Sequence, residues 1–176
     1  MGAIPVSQQK PTGLDAFTAV YEAALPRVYG YLLHRCSNPA EAEDLTQETF
    51  LAVVNEMKKG GAVADPIAWA VGIARHKWLD QVRKKVRDER RLALLVEAGG
   101  HEGEPAGWDA AISREGTVQA LQAMPSGQRA VLVLRYFDGY SVPETARLIG
   151  RSVHATESLL VRARVSFRRG VSRGGQ

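Results

Sequence analysis

The stretch SVPETARLIGRSVHATESLLVRARVSFRR, residues 141–169, decides the fold of the C-terminal part of this 176-residue chain. Ser141 followed by Glu144 is the pattern of a capping box, which begins a helix. Gly150 ends that helix, and Ser152 can cap the next one, which extends to the end of the stretch. A short helix, a glycine-bearing turn and a second helix at this spacing predict a helix-turn-helix.

The second helix of this pair has two different faces when its residues are placed about 100° apart. The apolar face, which we expect to pack inward, holds Val153, Thr156, Leu160, Ala163 and Phe167. The opposite face holds His154, Ala155, Ser158, Val161, Arg162, Val165 and Arg169. Arginine can pair with guanine through two hydrogen bonds, and serine can bond either kind of base pair, so this face suits a DNA major groove. Phosphate contacts are better placed at Arg151, Arg164 and Arg168.

The charge distribution agrees with nucleic-acid binding by the C-terminal part. The whole chain has 23 Lys and Arg against 19 Asp and Glu. Residues 118–176 carry nine basic and three acidic side chains, whereas residues 91–117 carry two basic and five acidic ones. A solvated helix with an incidental basic end stays open as an alternative. Glu157 favours it slightly, because phosphates repel a carboxylate that accepts no hydrogen bond from a cytosine amino group.

Apolar spacing in the N-terminal part is also helical, and convincing strand alternation is absent. Asn38-Pro39 begins one helix, and Asp65-Pro66 begins another that extends to about Arg91. The glycine-rich, acidic segment that follows indicates a linker. The sequence therefore predicts an all-α fold of two small helical domains joined by a flexible linker. The predicted ranges are a disordered tail at 1–13, a domain at 14–91, the linker at 92–116, a domain at 117–170 and a tail at 171–176.

The last helix of the first domain is strongly basic. Between Arg75 and Arg91 it carries eight Lys and Arg and three Asp and Glu. It also carries Trp69 and Trp78, which lie nine residues apart and so about 180° from each other on the helix. One face can hardly bury both, so we expect at least one of them in the core. The other reading of this segment, with both tryptophans buried and the charges merely solvated, stays open.

Several classes of function lack support in the sequence. No arrangement of nucleophile, base and acid is anchored by a motif, and no phosphate-binding Gly-x-x-x-x-Gly-Lys run occurs, so we predict no catalytic residues and no cofactor. His34 and Cys36 lack two further ligands, which makes a zinc site unexpected. One cysteine excludes an internal disulfide, and no apolar run approaches the roughly 18 residues that span a bilayer. A protein of the cytoplasm is expected.

Three motifs in a fixed order resemble a known family. They are AEDLTQETF at residues 42–50, PIAWAVGIARHKWLDQVRKK at 66–85 and MPSGQRAVLVLRYFDGYSVPETARLIGRS at 124–152. They resemble bacterial sigma-70 family factors of the extracytoplasmic-function (ECF) group, which consist of regions 2 and 4 joined by a linker. The resemblance covers roughly residues 14–91 and 117–170. It implies a subunit without catalytic activity that directs core RNA polymerase to promoters.

The resemblance also implies a role for particular residues. Docking on the clamp of the polymerase β′ subunit would involve Asp44, Leu45, Gln47, Glu48 and Phe50. Recognition and melting of the −10 promoter element would involve Arg75, His76, Lys77, Asp80, Gln81, Arg83 and Lys84. Recognition of the −35 element would involve Arg151, Ser152, His154, Ala155, Ser158, Arg162, Arg164 and Arg169. The implied partners are core polymerase, promoter DNA and an anti-sigma factor, with no small-molecule substrate and no metal.

The chain departs from many relatives in two places, which leaves its promoter preference open. Residues 152–158 lack the early glycine and basic residue of the recognition helix, and the loop before Pro66 lacks an aromatic residue. Two other functions are considered: a stand-alone helix-turn-helix repressor or activator, and an anti-sigma or adaptor protein. The 42–50 motif argues against the first and the basic C-terminal part against the second. We also expect the free chain to bind promoter duplex weakly, because a flexible linker does not hold two domains at the correct spacing.

Overall fold

The computed structural model describes residues 13–60, 63–93 and 114–174, and the regular secondary structure within these ranges is entirely helical. The α-helices are α1 Gly13–Leu33, α2 Pro39–Met57, α3 Pro66–Ala93, α4 Arg114–Gln122, α5 Ser126–Leu132, α6 Val142–Ile149 and α7 Val153–Gly174. A π-helix, Val133–Phe137, continues α5. The predicted all-α class is therefore confirmed for the described residues. Most of the predicted N-terminal tail and linker lies outside them.

Helices α1, α2 and α3 pack against one another and form an N-terminal unit. Local signals in the sequence set their boundaries. Asn38 caps α2 by accepting a hydrogen bond from the backbone N–H of Glu41 at 2.8 Å. Asp65 caps α3 by accepting from the N–H groups of Ile67 and Ala68 at 3.0 and 2.9 Å. Pro26, which the sequence suggests as a kink or a break, lies inside α1 without ending it.

The two tryptophans of α3 have different environments, as their spacing predicts. Trp78 is 2% exposed and is one of the largest buried side chains, whereas Trp69 is half-buried at the edge of the core. The guanidinium of Arg35 lies 6.0 Å from the ring centroid of Trp78 and 3.7 Å from that of Tyr31. Trp78 thus belongs to the centre of the N-terminal unit and is not available to stack on a base.

Helices α4 to α7 form a C-terminal unit in which α6 and α7 are the helix-turn-helix. The capping box is present: Ser141 accepts from the N–H of Glu144, and the Glu144 carboxylate accepts from the N–H of Ser141 at 2.8 Å. Gly150 has a φ of 69°, the left-handed conformation that ends α6 and that glycine adopts without strain. Ser152 accepts from the N–H of Ala155 at 3.2 Å at the start of α7.

Two details of α7 differ from the prediction. The helix continues through Gly170 to Gly174, past its predicted end near Arg169. A Cβ atom at Gly170 would lie 3.1 Å from Cβ of Ala120, so this glycine lets α4 approach α7 closely. The prediction that Val153 packs inward is wrong, because this side chain is 42% exposed. Leu159, which is not in the predicted inward set, is only 4% exposed. The first residue of a helix precedes the turn that packs against the core.

The N-terminal and C-terminal units are in contact. Helices α5 and α6 both pack against α3, and the buried apolar side chains of the two units belong to one connected cluster. The sequence leaves open whether the two domains pack together, and in the described residues they do. Local helix signals predict the helices of each unit, but they carry no information about how the two units pack against each other.

Candidate polymerase and nucleic-acid interfaces

The exposed face of α2 is acidic and polar. Asp44, Gln47 and Glu48 are all exposed, and their helical spacing places them on one side of α2. Leu45 is 4% exposed and Phe50 is 6% exposed. Their side chains fill the core. Of the five residues in the predicted docking set, only the three polar ones are therefore exposed to a partner.

A leucine extends this face in a way that the sequence analysis did not find. Leu51 is 66% exposed, three residues after Glu48 and seven after Asp44. An exposed leucine in a row of carboxylates and amides gives the face an apolar contact point beside its charges. Its position one helical turn beyond Glu48 could have placed Leu51 on the exposed face. From sequence alone, however, an apolar residue in a helix is expected in the core.

The basic residues of α3 face in two directions. Lys77 and Lys85 turn toward α2, where Lys77 Nζ lies 3.3 Å from Glu48 and Lys85 Nζ lies 2.6 Å from Glu41. Arg75 and Arg83 each precede one of these lysines by two residues, about 200° around the helix, and they turn toward the C-terminal unit. The −10 candidates are thus brought onto one helix but not onto one surface.

The remaining −10 candidates have mixed exposure. His76, Asp80 and Lys84 are exposed, and Asp80 pairs with Arg83 at 2.6 Å. Gln81 is partly buried, and its Oε1 atom has no hydrogen-bond partner among the described residues. His76 and Lys84 are therefore exposed to solvent in this arrangement, while Arg75 and Arg83 form hydrogen bonds within the protein and Gln81 is partly buried.

Arg75 and Arg83 each bind a group of the C-terminal unit. An Arg75 Nη donates to the hydroxyl of Tyr140 at 2.7 Å, and its guanidinium lies 5.4 Å from the centroid of that ring. Arg83 Nε donates to the carbonyl of Leu148 at 2.8 Å. Leu148 lies in the last turn of α6, where carbonyl groups lack partners within the helix and where a cation is favoured by the helix dipole.

The −35 candidates lie along α7 and just before it. His154, Ser152, Arg162 and Arg169 are exposed, and Ala155 and Ser158 are half-exposed. Arg164 Nε donates to the Tyr136 hydroxyl at 3.0 Å. Arg151 donates to the carbonyl of Val86 in α3 over a long 3.5 Å. The face of α7 that was predicted to point outward is thus exposed at His154, Arg162 and Arg169 and partly buried at Ala155 and Ser158.

A cleft of about 470 Å³ separates the start of α7 from α3. It is lined by Glu89, Gln128, Gly150, Arg151, Ser152, Ala155, Leu159 and Arg162. Part of the predicted −35 surface thus faces the other unit of the same chain, with the carboxylate of Glu89 among its neighbours.

A polar junction fastens the two units together near the end of α1. Arg129 of α5 is 3% exposed, and it donates to the carbonyl of Arg35 at 3.2 Å and to the hydroxyl of Ser37. Arg35 in turn forms an ion pair with Asp138, which follows the π-helix. Burial lowers the pKa of Arg129 from its ordinary value. The sequence alone does not reveal this junction, because its members are up to 103 residues apart and match no local motif.

Cys36 lies beside this junction and is 2% exposed. Burial raises the pKa of its thiol to about 12, from an ordinary value of 9.0, and the nearby Glu41 carboxylate adds to the rise. The thiolate is the reactive form of cysteine, so this side chain is inert at neutral pH. Among the described residues no group of His, Cys, Asp and Glu is placed to hold a metal ion, and none of the helices there could span a bilayer.

The Cys36 thiol makes stability depend on alkaline pH. Above about pH 9 the unfolded chain loses the thiol proton while the folded chain keeps it until about pH 12, so the free energy of unfolding falls with rising pH in this window. We expect a Cys36→Ala variant to lose less stability than the wild type between about pH 8 and pH 10.5 in urea unfolding experiments. Equal losses of unfolding free energy in the two proteins would contradict the conclusion that the folded chain keeps the Cys36 thiol protonated.

Both units match known sequence families. The N-terminal unit matches Sigma-70 region 2 over residues 20–88, and the C-terminal unit matches Sigma-70, region 4 over residues 115–166. Regions 2 and 4 in this order define a class of RNA polymerase sigma factors. The acidic face therefore lies in region 2, and the helix-turn-helix lies in region 4.

Individual relatives narrow the class. The chain is 32% identical to the ECF RNA polymerase sigma factor BldN of Streptomyces coelicolor over 85% of its own length and 58% of that protein. It is 31% identical to the ECF RNA polymerase sigma factor SigF of Caulobacter vibrioides over 86% of its own length and 85% of that protein. The chain belongs to the ECF group of the sigma-70 family.

Two sigma factors are among the solved structures that the chain matches. One is RpoE of Bartonella quintana in complex with the anti-sigma factor NepR, with a TM-score of 0.47, 22% identity and coverage of 89% of this chain and 97% of that one. The other is the ECF sigma factor SigJ of Mycobacterium tuberculosis, with a TM-score of 0.45, 22% identity and coverage of 85% and 52%.

Proposed function

We propose that this chain binds core RNA polymerase and directs it to specific promoters, where region 2 recognises and melts the −10 element and region 4 recognises the −35 element. The observation that carries the proposal is one chain with both an exposed acidic face on α2 and an outward-facing recognition helix, α7. A stand-alone repressor uses only the second of these surfaces. The subunit would be non-catalytic and would act in the cytoplasm.

The acidic face supports docking on a basic partner. Asp44 and Glu48 lie one helical turn apart, and Leu51 follows on the same side. Exposed carboxylates speed association with a basic surface and select against wrong partners. Leu51 adds affinity when the partner buries it in the interface. The β′ clamp of the polymerase is the partner that we propose for this face.

The two DNA surfaces support different kinds of recognition. The face of α7 with Ser158 and Arg162 offers donors for base edges in a major groove. On α3, His76 and Lys84 are exposed, and Arg75 and Arg83 are partly exposed. Basic side chains on one helix suit the phosphates of an opened strand, and melting costs a few kcal/mol that captured bases and backbone contacts must offset.

Regulation by an anti-sigma factor is part of the proposal. The sequence resemblance implies such a partner, and RpoE of Bartonella quintana was solved with one, NepR. An anti-sigma factor that acts on this chain would cover the exposed parts of α2 or α7 and so prevent docking or DNA binding.

Run-off transcription tests the proposed function. Purified core polymerase is supplied with a library of genomic promoter fragments, with and without this protein. We expect discrete new transcripts that require the protein, and alignment of their start sites should reveal two upstream elements. Tight binding to a duplex operator without polymerase, together with no new transcript, would favour the repressor.

The role of Arg162 can be measured on one such promoter. Arg162→Ala is expected to weaken binding by about 1–3 kcal/mol at one upstream base pair and to relax the preference there, because Arg162 is exposed on the outward face of α7. The matched control, Arg168→Ala, removes an exposed arginine placed for phosphate and should weaken all sequences alike. Holoenzyme binding to a set of single-base variants distinguishes the two. A uniform loss for Arg162→Ala would make Arg162 a phosphate contact.

A further inference from the structure

We infer that the cleft between α3, α5 and the start of α7 is a binding site for a guanine nucleotide. Its phosphate binds beside Arg151 at the N-terminal end of α7, and its base donates hydrogen bonds to Gln128 and Glu89. The inference concerns a small-molecule ligand of the chain on its own. It does not depend on the proposed function at promoters.

The size and the construction of the cleft suit a small ligand. Its volume is about 470 Å³, and pockets for small molecules have volumes of roughly 300–1,000 Å³. Helix α3 contributes Glu89, and α5 contributes Gln128. The other lining residues belong to the turn after α6 and to α7: Gly150, Arg151, Ser152, Ala155, Leu159 and Arg162. A ligand in the cleft therefore touches three separate parts of the chain.

The N-terminal end of α7 gives the cleft its affinity for an anion. This helix is 22 residues long, and the dipole of a long helix places partial positive charge at its first turn. Arg151 directly precedes the helix, and Arg162 lines the same cleft. The lining thus carries two guanidinium groups against the one carboxylate of Glu89. Guanidinium groups bind phosphate through paired, charge-assisted hydrogen bonds, so a phosphate is the anion that we expect.

Two acceptors in the lining call for hydrogen-bond donors on the ligand. Oε1 of Gln128 is buried and has no hydrogen-bond partner among the described residues. Oε1 of Glu89 accepts from the backbone N–H of Gly127 at 3.2 Å, which holds this carboxylate beside the neighbouring Gln128. A buried amide oxygen without a partner is unfavourable and rare in folded proteins. A ligand N–H group that reached Gln128 would remove this cost.

The rest of the lining suits a flat ring. Ala155, Leu159 and Arg162 follow one another at helical spacing, so they form one stripe of α7. Two apolar side chains give the ring a surface to cover, and a guanidinium can lie over its face. The ligand thus combines a phosphate, a planar ring and N–H donors, which describes a nucleotide. Guanine has two neighbouring N–H donors on its pairing edge, whereas uracil has one between two carbonyl groups, so guanine matches the two acceptors.

The first measurement is titration calorimetry of the full chain with guanosine monophosphate, uridine monophosphate and inorganic phosphate. We expect guanosine monophosphate to bind on the order of tenfold more tightly than uridine monophosphate, because the uracil ring leaves an acceptor of the cleft unpaired. Inorganic phosphate, which has no base, should bind more weakly than either. Equal affinities for the two nucleotides would overturn guanine recognition. Absence of binding at concentrations of about 1 mM would overturn the site itself.

The second measurement repeats the titrations with Gln128→Leu, which replaces the unpartnered amide by an apolar group of similar shape. The melting temperature without ligand should stay the same or rise, because a buried oxygen without a partner is removed. The preference for guanosine over uridine monophosphate should be lost. The matched control is Gln122→Leu, which removes an exposed amide of α4 outside the cleft and should keep the preference. An unchanged preference in Gln128→Leu would refute the role of Gln128.

The phosphate position is tested with Arg151→Gln. Both nucleotides should lose affinity by a similar factor, roughly tenfold, while their ratio is unchanged, because both carry the same phosphate. The control Arg168→Gln removes an exposed arginine of α7 that does not line the cleft, and it should bind both nucleotides as the wild type does. Wild-type affinities in Arg151→Gln would refute the phosphate position. Since these titrations contain neither polymerase nor promoter DNA, failure of the run-off experiment would reject the proposed function and leave the nucleotide site untouched.

Discussion

Reversing the charge of Asp44 and Glu48 together is expected to lower the affinity for core RNA polymerase by about 100-fold or more. Both carboxylates are exposed on α2, so the variant Asp44→Lys/Glu48→Lys places two cations against a basic partner, and like charges across an interface cost several kcal/mol. Glu48 is 58% exposed where it meets Lys77, so loss of that pair costs the fold little. Binding is measured by competition of the variant with labelled wild-type chain for core polymerase.

A matched control carries the same change in net charge elsewhere on region 2. Glu22→Lys/Glu56→Lys reverses two exposed carboxylates, on α1 and at the end of α2, away from the acidic face. This control should retain normal affinity, and the circular dichroism spectra and melting temperatures of both variants should resemble those of the wild type. Normal holoenzyme assembly by Asp44→Lys/Glu48→Lys would remove the docking proposal.

The largest effect on stability is expected from Trp78→Ala. Trp78 is 2% exposed, and Arg35 lies against its ring, so truncation leaves a large cavity at the centre of region 2 and loosens the residue that pairs with Asp138. Removal of a buried tryptophan costs about 3–5 kcal/mol in the free energy of unfolding. For a small domain of marginal stability this change is enough to unfold region 2 near physiological temperature. Urea unfolding followed by circular dichroism measures it.

Trp69→Ala is the control for this prediction. Trp69 is on the same helix but half-buried, so its truncation exposes little new apolar surface and should cost about 1 kcal/mol or less. Similar losses in the free energy of unfolding for the two variants would mean that the exposed fraction of each ring does not determine its contribution to stability. Their ratio is therefore more informative than either value alone.

The parts of the fold that local sequence determines were predictable. Capping residues such as Asn38 and Ser141 fix where helices begin, and their hydrogen bonds are present in the structure. The spacing of Trp69 and Trp78 predicted that at least one of them lies in the core, and Trp78 does. In these cases the deciding interactions lie within a few residues of each other along the chain.

The packing of region 4 against α3 was not predictable in the same way. Arg75 and Arg83 have the residue type and the spacing of DNA contacts, and nothing in α3 itself shows that Tyr140 and Leu148 occupy them. A basic residue on an amphipathic helix has equal local preference for solvent, a phosphate or a carbonyl of a distant helix. Leu45 and Phe50 show the converse: a family motif includes residues that support an interface from the core as well as residues that form it.

The π-helix at Val133–Phe137 constrains how long this part of the chain can be. Its wide turn closes with a hydrogen bond from the N–H of Asp138 to the carbonyl of Val133 at 3.0 Å, one residue further along than in an α-helix. Asp138 therefore leaves the helix about 100° further round than it would from a regular turn, and this places its carboxylate beside Arg35. A natural chain one residue shorter in this segment would lose that alignment. Among homologues, an aspartate here should consequently co-occur with the longer segment and with an arginine at the end of the first helix.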